Sequence, residues 1–302
     1  MLFDISKADT EDLHDELFIQ KQVTVSVLRL DKIHPLVSGN KLFKLHYFLE
    51  ETLDSKHKTI LTFGGAYSNH LAATAYACKV FQLKSIGIVR GEKAEQVSPT
   101  LQQCLQDGMQ LKFISRQQYA KKENAIFVNE LKVEFGECII VPEGGYHPLG
   151  AQGAALIMDL IKNNNYTHIC TASGTATTVA GLLIAAKPGQ QVVSFPVLKG
   201  ITDNKTRIIE LTGISNEYKN LLIFNNYHFG GYAKKTEQLI SFMNHCWLEY
   251  RLPLDFVYTA KMFFGIIDCI KNDRFEKGSK ILCLHTGGLQ GNKSLPLSSL
   301  LF

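Results

Sequence analysis

Apolar positions along the chain gather into short unbroken runs, with longer stretches of helical period between them. Runs at 23–29, 59–63, 85–89, 110–114, 137–141, 167–171, 191–195, 221–225 and 280–285 predict strands. Several are continuous rather than alternating, as in Glu137-Cys-Ile-Ile-Val141. A strand covered on both faces has no polar side to alternate with. Stretches at 41–53, 69–82, 98–108, 124–135, 150–163, 175–186, 233–249 and 258–271 predict helices. Strand alternating with helix predicts an α/β fold of doubly wound parallel sheets. Nine strands are many for one open sheet. The expected architecture is therefore two open, twisted, mostly parallel sheets flanked by helices. Turn-rich Glu143-Gly-Gly-Tyr-His-Pro-Leu-Gly150 marks one seam, and the first helix, around 41–50, marks the other. A smaller unit, 46–149, would be inserted into a larger one formed by 1–45 and 150–302. A ligand would sit in the crevice between them.

Composition narrows the class. With 45% hydrophobic and 20% charged residues, the chain buries a real core and is not disordered. The net charge of +4 is mild and the basic residues are scattered, so no nucleic-acid partner is expected. No apolar run approaches the roughly 18–20 residues of a membrane span. The acidic start, Asp4 to Asp15, does not resemble a targeting peptide, and a cytoplasmic protein is expected. Seven cysteines without CxxC spacing, most in apolar surroundings, read as small core residues in a reducing compartment. Ten histidines show no H-x-x-x-H pair, and no metal site is expected.

Three segments carry chemistry. Ser173-Gly-Thr-Ala-Thr-Thr-Val-Ala-Gly-Leu182 follows a strand and opens a helix. Its small residues leave backbone N–H groups free at the positive end of the helix dipole, which suits phosphate. It is not a Walker loop, and it lacks G-x-G-x-x-G and an acidic ribose partner, so a dinucleotide is not indicated. Phe63-Gly-Gly-Ala-Tyr-Ser-Asn-His70 also joins strand to helix, with Ser68, Asn69 and His70 at the cap. N–H groups there would hold a carboxylate, although Ser68 or Asn69 as a plain N-cap is the simpler reading. Ser38-Gly-Asn-Lys-Leu-Phe-Lys-Leu45 puts lysines at a helix start, where the dipole and burial lower an amine pKa. Spacing alone does not choose between Lys41 and Lys44. His285, at a strand end, reads equally as structural or catalytic, and Tyr146 and His147 read as packing.

Together these segments resemble the pyridoxal-phosphate enzymes of the tryptophan-synthase-β type, fold type II. Within that group the chain is most similar to the 1-aminocyclopropane-1-carboxylate deaminase / D-cysteine desulfhydrase family. The matching pieces are Gly39-Asn-Lys41, Gly64-Gly65, Ser68-Asn-His70, Glu143-Gly-Gly145 with Pro148-Leu-Gly150, and Ser173-Gly-Thr175 through Ala180-Gly181. They continue with Gly230-Gly-Tyr232, Asp255-Phe-Val-Tyr258 and His285-Thr-Gly-Gly288. The resemblance implies pyridoxal 5′-phosphate as cofactor and Lys41 as the Schiff-base lysine. It implies Asn69 at the pyridoxal 3′-oxygen, and Gly174, Thr175, Ala176, Thr177 and Thr178 around the phosphate. It further implies Ser68, Asn69 and His70 at the substrate carboxylate, and Tyr232 and Tyr258 as active-site tyrosines. A homodimer and a small amino-acid substrate are implied as well.

Two positions divide the family. Ring-opening deaminases carry Glu after the second tyrosine and Leu between His and Gly-Gly, whereas desulfhydrase-type members carry hydroxyl residues at both. Thr259 and Thr286 stand here, one of them expected at the pyridine nitrogen. The resemblance therefore implies β-elimination of the D-cysteine desulfhydrase kind, with Lys41 removing the Cα proton and a tyrosine assisting. Cyclopropane-carboxylate deaminase is the alternative, followed by a non-catalytic pyridoxal-phosphate or amino-acid sensor. Phe256 and Ala260 replace the family's usual Pro and Gly, and Leu42-Phe43 precedes Lys44 where many members carry Arg, which puts pocket shape in question.

Overall fold

The computed structural model describes residues 2–34, 39–162, 165–214 and 218–302. The described strands are β1 (Thr10–Leu13), β2 (Thr24–Leu28), β3 (Thr59–Gly64), β4 (Lys84–Arg90) and β5 (Gln110–Ile114). They continue with β6 (Ile139–Val141), β7 (His168–Ser173), β8 (Gln191–Pro196), β9 (Leu221–Ile223) and β10 (Lys280–Leu284). The helices are α1 (Glu16–Lys21), α2 (Asn40–Asp54), α3 (Asn69–Val80), α4 (Pro99–Gln106), α5 (Arg116–Tyr119) and α6 (Ala125–Phe135). After them come α7 (Pro148–Ala155), α8 (Thr177–Ala185), α9 (Asn204–Thr212), α10 (Glu237–Tyr250) and α11 (Thr259–Lys271).

Two sheets form, as expected. The larger runs β1-β2-β10-β7-β8-β9 and the smaller β5-β4-β3-β6. All pairings are parallel except β1 with β2, where Thr10 faces Leu28. Strand β1, Thr-Glu-Asp-Leu, was not foreseen: it is a polar edge strand, held by its register and by a Glu11–Arg29 ion pair rather than by apolar content. Helices α1, α5 and α9 were also not foreseen. The first two are single turns with side-chain caps, and α9 buries only Asn204, Ile208 and Leu211. The helix expected at 150–163 is α7 followed by a 3₁₀ stretch over Leu156–Leu160, and residue 163 lies outside the described residues.

Each sheet is covered on both faces. One face of the larger sheet meets α2, α7 and α8, and the other meets α10 and α11. The smaller sheet lies between α3 with α4 on one side and α5 with α6 on the other. Helix α2 belongs to both: the core around Phe43, Leu45 and Phe48 takes Ile60 and Val141 from the smaller sheet and Ile169 and Leu282 from the larger. We propose residues 46–149 as the smaller unit, within a larger one of 1–45 and 150–302. The described cysteines are all free and buried, and burial raises their thiol pKa values, as at Cys78, pushed up to about 12. No helix among the described residues is long and apolar enough to cross a membrane.

This packing aims the carboxyl ends of β2, β7 and β10 at those of β3, β4 and β6, so the loops that follow them meet in one crevice. The separation is set by α2 against α7, where a Cβ on Gly153 would come within 2.0 Å of the Phe43 carbonyl oxygen. Alanine normally favours a helix interior over glycine by about 1 kcal/mol. Gly153→Ala should nevertheless lower the urea midpoint, by the equivalent of about 1–3 kcal/mol, because α2 must move. A midpoint at or above wild type would contradict that packing.

Candidate active site

Lysine 41 reaches the crevice because Gly39 lets α2 begin there. Gly39 has φ +76°, and a Cβ on it would lie 1.8 Å from the Thr286 carbonyl oxygen. No other residue fits that conformation and that gap. Next to it, Asn40 is buried, donates to Thr178 Oγ1 at 2.8 Å and accepts from Lys41 Nζ at 2.8 Å. The lysine is thus tied through one amide to the start of α8. Burial lowers its pKa to about 8, against the opposing attraction of Asp255. Ser38, part of the same segment, lies outside the described residues.

Spacing alone does not choose between Lys41 and Lys44, and the resemblance implies Lys41. Lys44 is 5% exposed, lines the same crevice and donates to the Gly144 carbonyl at 3.3 Å. Burial, and then repulsion by Lys41, drives its pKa well below the ordinary lysine value. Its signal in the sequence was its position one turn after Lys41.

The glycine-rich loop faces these lysines. Helix α8 has no side-chain cap, and its N-cap is Ala176 in the left-handed region at φ 63°. A non-glycine residue held there costs energy and marks a loop shaped for a purpose. Gly174, Thr175, Ala176 and Thr178 line the crevice. Thr177 is fully buried, its Oγ1 2.9 Å from Thr175 Oγ1, and does not line it. Ser173 Oγ is buried without a hydrogen-bond partner.

Helix α3 supplies the opposite wall. Ser68 Oγ accepts from Leu71 N at 3.2 Å, the N-cap bond. His70 is buried with Nε2 2.9 Å from Thr62 Oγ1, and burial with the nearby lysine charges lowers its pKa to about 3, so it is neutral. Neither Ser68 nor His70 is among the residues lining the crevice. Asn69 does line it, and its buried Oδ1 has no partner.

The two tyrosines meet edge to face, with ring centroids 6.0 Å apart and planes at 73°. Lys41 Nζ lies 5.7 Å from the Tyr258 ring centre. Burial raises both phenol pKa values, so both are protonated. Tyr258 lines the inner chamber. Tyr232 lines an adjoining outer one and is 44% exposed.

Thr259 and Thr286, expected as alternatives at one point, part company. Thr259 is fully buried, with Oγ1 2.8 Å from Asp255 Oδ1, and does not line the crevice; Thr286 does. Asp255 was missed as a separate element. Its Oδ2 accepts from Val257 N and Tyr258 N, and its Oδ1 from Thr259 N, at 2.9–3.0 Å, so the carboxylate is spent on starting α11. His285 is fully buried, Nε2 2.6 Å from the Pro253 carbonyl and Nδ1 3.2 Å from Asp31, itself paired with Arg29. That resolves it as structural. His147 caps α7, accepting from Leu149 N.

Lys261 was also missed. On α11 and 1% exposed, it donates to the carbonyls of His228 at 2.9 Å and Gly231 at 2.7 Å. Those carbonyls belong to a loop in which Phe229, Gly230, Gly231 and Ala233 all have positive φ, and that loop presents Tyr232.

The inner chamber is a narrow cleft of about 50 Å³ that shares Asn69 and Tyr258 with the outer one. It gathers two lysines, an uncapped helix start and two unpartnered polar atoms, at Asn69 and Ser173. A phosphate-bearing aldehyde answers each of these: an anion for the helix end and Lys44, a carbonyl for Lys41, and polar ring substituents for Asn69.

Comparison with known proteins points to the same cofactor. The family model described as "Pyridoxal-phosphate dependent enzyme" matches residues 16–287. A Thermotoga maritima protein named "Putative 1-aminocyclopropane-1-carboxylate deaminase" is 30% identical over 284 residues, 88% of this chain and 89% of its own. A mitochondrial "Bifunctional D-cysteine desulfhydrase/1-aminocyclopropane-1-carboxylate deaminase" of Arabidopsis thaliana is 28% identical over 286 residues, 84% of this chain and 70% of its own. A solved structure described as an "ACC deaminase homologue" superposes with a TM-score of 0.80 at 26% identity, covering 96% of this chain and 92% of that one.

Two outcomes test the site. Lys41 must be neutral to attack an aldehyde, and lowering its pKa makes that form available at lower pH. Initial rates of covalent capture of pyridoxal phosphate by cofactor-free protein, trapped with borohydride and located by mass at Lys41, should rise with pH and be half-maximal near about 8. A midpoint at the ordinary 10.5 would contradict the burial argument. Lys261→Met should cost about 1–3 kcal/mol in denaturant unfolding, since it leaves buried carbonyls unpaired.

Proposed function

The chain belongs to the pyridoxal-phosphate dependent enzyme family, and from that premise we propose that it cleaves small amino acids by β-elimination, as a D-cysteine desulfhydrase does. D-cysteine and water would give pyruvate, ammonia and hydrogen sulfide. The observation that carries this reading is Thr286 as a cleft-lining residue, while the Asp255 carboxylate is closed within its own loop. No free carboxylate at that end means no strong pull on a ring-nitrogen proton, and a weaker electron sink favours prompt loss of a β-substituent.

When bound, pyridoxal phosphate supplies the aldehyde that joins an amine covalently and the ring that withdraws its electrons. The chain's residues do the rest. Gly174, Thr175, Ala176, Thr177 and Thr178, with Lys44, would hold the phosphate, and Asn69 a ring oxygen. Thr286 rather than Thr259 would face the ring nitrogen. Lys41 Nζ, poised near neutral pH by burial, would hold the cofactor and then take the Cα proton. The start of α3 at Asn69 would seat the carboxylate, with Ser68 holding the turn through its N–H to the Gly65 carbonyl and its Oγ at the cap, and His70 packed behind. Tyr258 Oη, on a ring packed edge to face against Tyr232, would give a proton to the departing sulfur. The buried phenols stay protonated throughout the working pH range, which suits a donor.

A second reading is 1-aminocyclopropane-1-carboxylate deaminase, favoured by the names the relatives carry. In either case we propose a cytoplasmic homodimer. A panel of D-cysteine, L-cysteine, D-serine, β-chloro-D-alanine and 1-aminocyclopropane-1-carboxylate, with pyruvate and 2-oxobutyrate detection, separates the two. The expected result is sulfide and pyruvate from D-cysteine, with little 2-oxobutyrate from the cyclopropane substrate. The reverse ranking sinks the desulfhydrase reading. Lys41→Ala should reduce turnover by at least about 10³-fold, and retained turnover would remove Lys41 from its role.

A further inference from the structure

One charged group at the cleft has no part in the reaction described so far. Arg90 ends β4, and its neighbour β3 ends beside it, with Gly64 paired to Val89. The two strand ends therefore deliver Arg90 and the Gly65–Asn69 loop to the same place. A Cβ on Gly65 would stand 3.5 Å from Arg90 Nη2. Arg90 and Gly65 both line the outer chamber, which shares Asn69 and Tyr258 with the inner one. The guanidinium lies 5.7 Å from the Tyr119 ring centre. Stacking of that kind occupies the flat face of the group and leaves its N–H fork free. Among the described residues Arg90 makes no ion pair. The loop beside it contributes no cation of its own, because His70 is neutral and Ser68 is held by its cap bond.

We propose that Arg90 is a substrate-binding residue whose guanidinium receives the carboxylate seated on the Gly65–Asn69 loop. It would explain how a loop built of neutral groups selects amino acids over amines. A guanidinium meets a carboxylate through two parallel hydrogen bonds, stronger and more directional than a helix end alone. This rests on the reading that the cleft takes an amino acid.

The test uses cofactor-loaded protein and alanine of either hand, which has no β-leaving group. Binding is read from the change in cofactor absorbance, whether or not anything turns over. Arg90→Gln should raise the Kd of the better-bound enantiomer about tenfold to a hundredfold, with cofactor content and Tm unchanged. Arg90→Lys should recover part of the loss, and the matching alaninamide should bind wild type and Arg90→Gln alike. Equal Kd values for alanine in wild type and Arg90→Gln overturn the proposal. So does an equal loss with alaninamide, which would mark a structural role through Tyr119, or a loss that follows Arg116→Gln instead. Should Arg90→Gln fail to fold, the preference for alanine over alaninamide in Arg90→Lys decides the matter, and a preference equal to wild type overturns the proposal. A wild type that binds alanine but turns over nothing in the panel defeats the lyase reading and leaves the Arg90 result standing. No binding of either enantiomer defeats both.

Discussion

The site depends on one close approach, the backbone of Gly39 against the carbonyl of Thr286. It sets where α2 starts, and so where Lys41 stands relative to the ends of β10 and β7. Through Asn40 the same helix start is bonded to Thr178, so Lys41, the β10 loop and the α8 loop are referenced to each other by backbone and one buried amide. A side chain on residue 39 would open that junction and separate groups that must act on the same few atoms. Catalytic geometry tolerates displacements of only about half an ångström, which is why the junction is made of backbone rather than flexible side chains.

Electrostatics explains what the junction is for. Two lysines one helical turn apart are held out of water, each made less basic by burial and Lys44 further by Lys41. A protein keeps such a pair only if something anionic joins them or if their neutral forms are useful. Here both conditions hold: Lys44 faces the uncapped start of α8, and Lys41 faces phenols that stay protonated. Asp255, whose attraction offsets part of the effect of burial on Lys41, is bonded into its own turn.

Much of this was legible in the sequence, for identifiable reasons. Strands such as β3 and β7 are buried on both faces, and two-sided burial writes itself as an apolar run. The three loops were visible because small residues after a strand and before a helix have few other uses. Strand β1 was hidden because an edge strand needs no apolar pattern, only a partner. Lys261 and Asp255 were hidden because their roles exist only once distant carbonyls and N–H groups arrive: a lysine within a helical stretch reads as a solvent-facing residue until His228 and Gly231 are folded over it. Thr259 and Thr286 could not be told apart by residue type, since only the fold shows that one hydroxyl is occupied by Asp255.

The sheet order has a consequence for how the chain is made. Strand β10 lies between β2 and β7, pairing Thr24 with Lys280 and Cys170 with Cys283. Synthesis proceeds from the N-terminus, so the larger sheet exists as two unjoined pieces until nearly all of its strands have emerged. The four strands of the smaller sheet follow one another within residues 59–141 and can assemble on the ribosome. Lys41 therefore spends most of translation with no Thr286 to lie against, and β2 spends it as an open edge. The crevice is incomplete until β10 docks between β2 and β7, and pairing across so long a span slows that step.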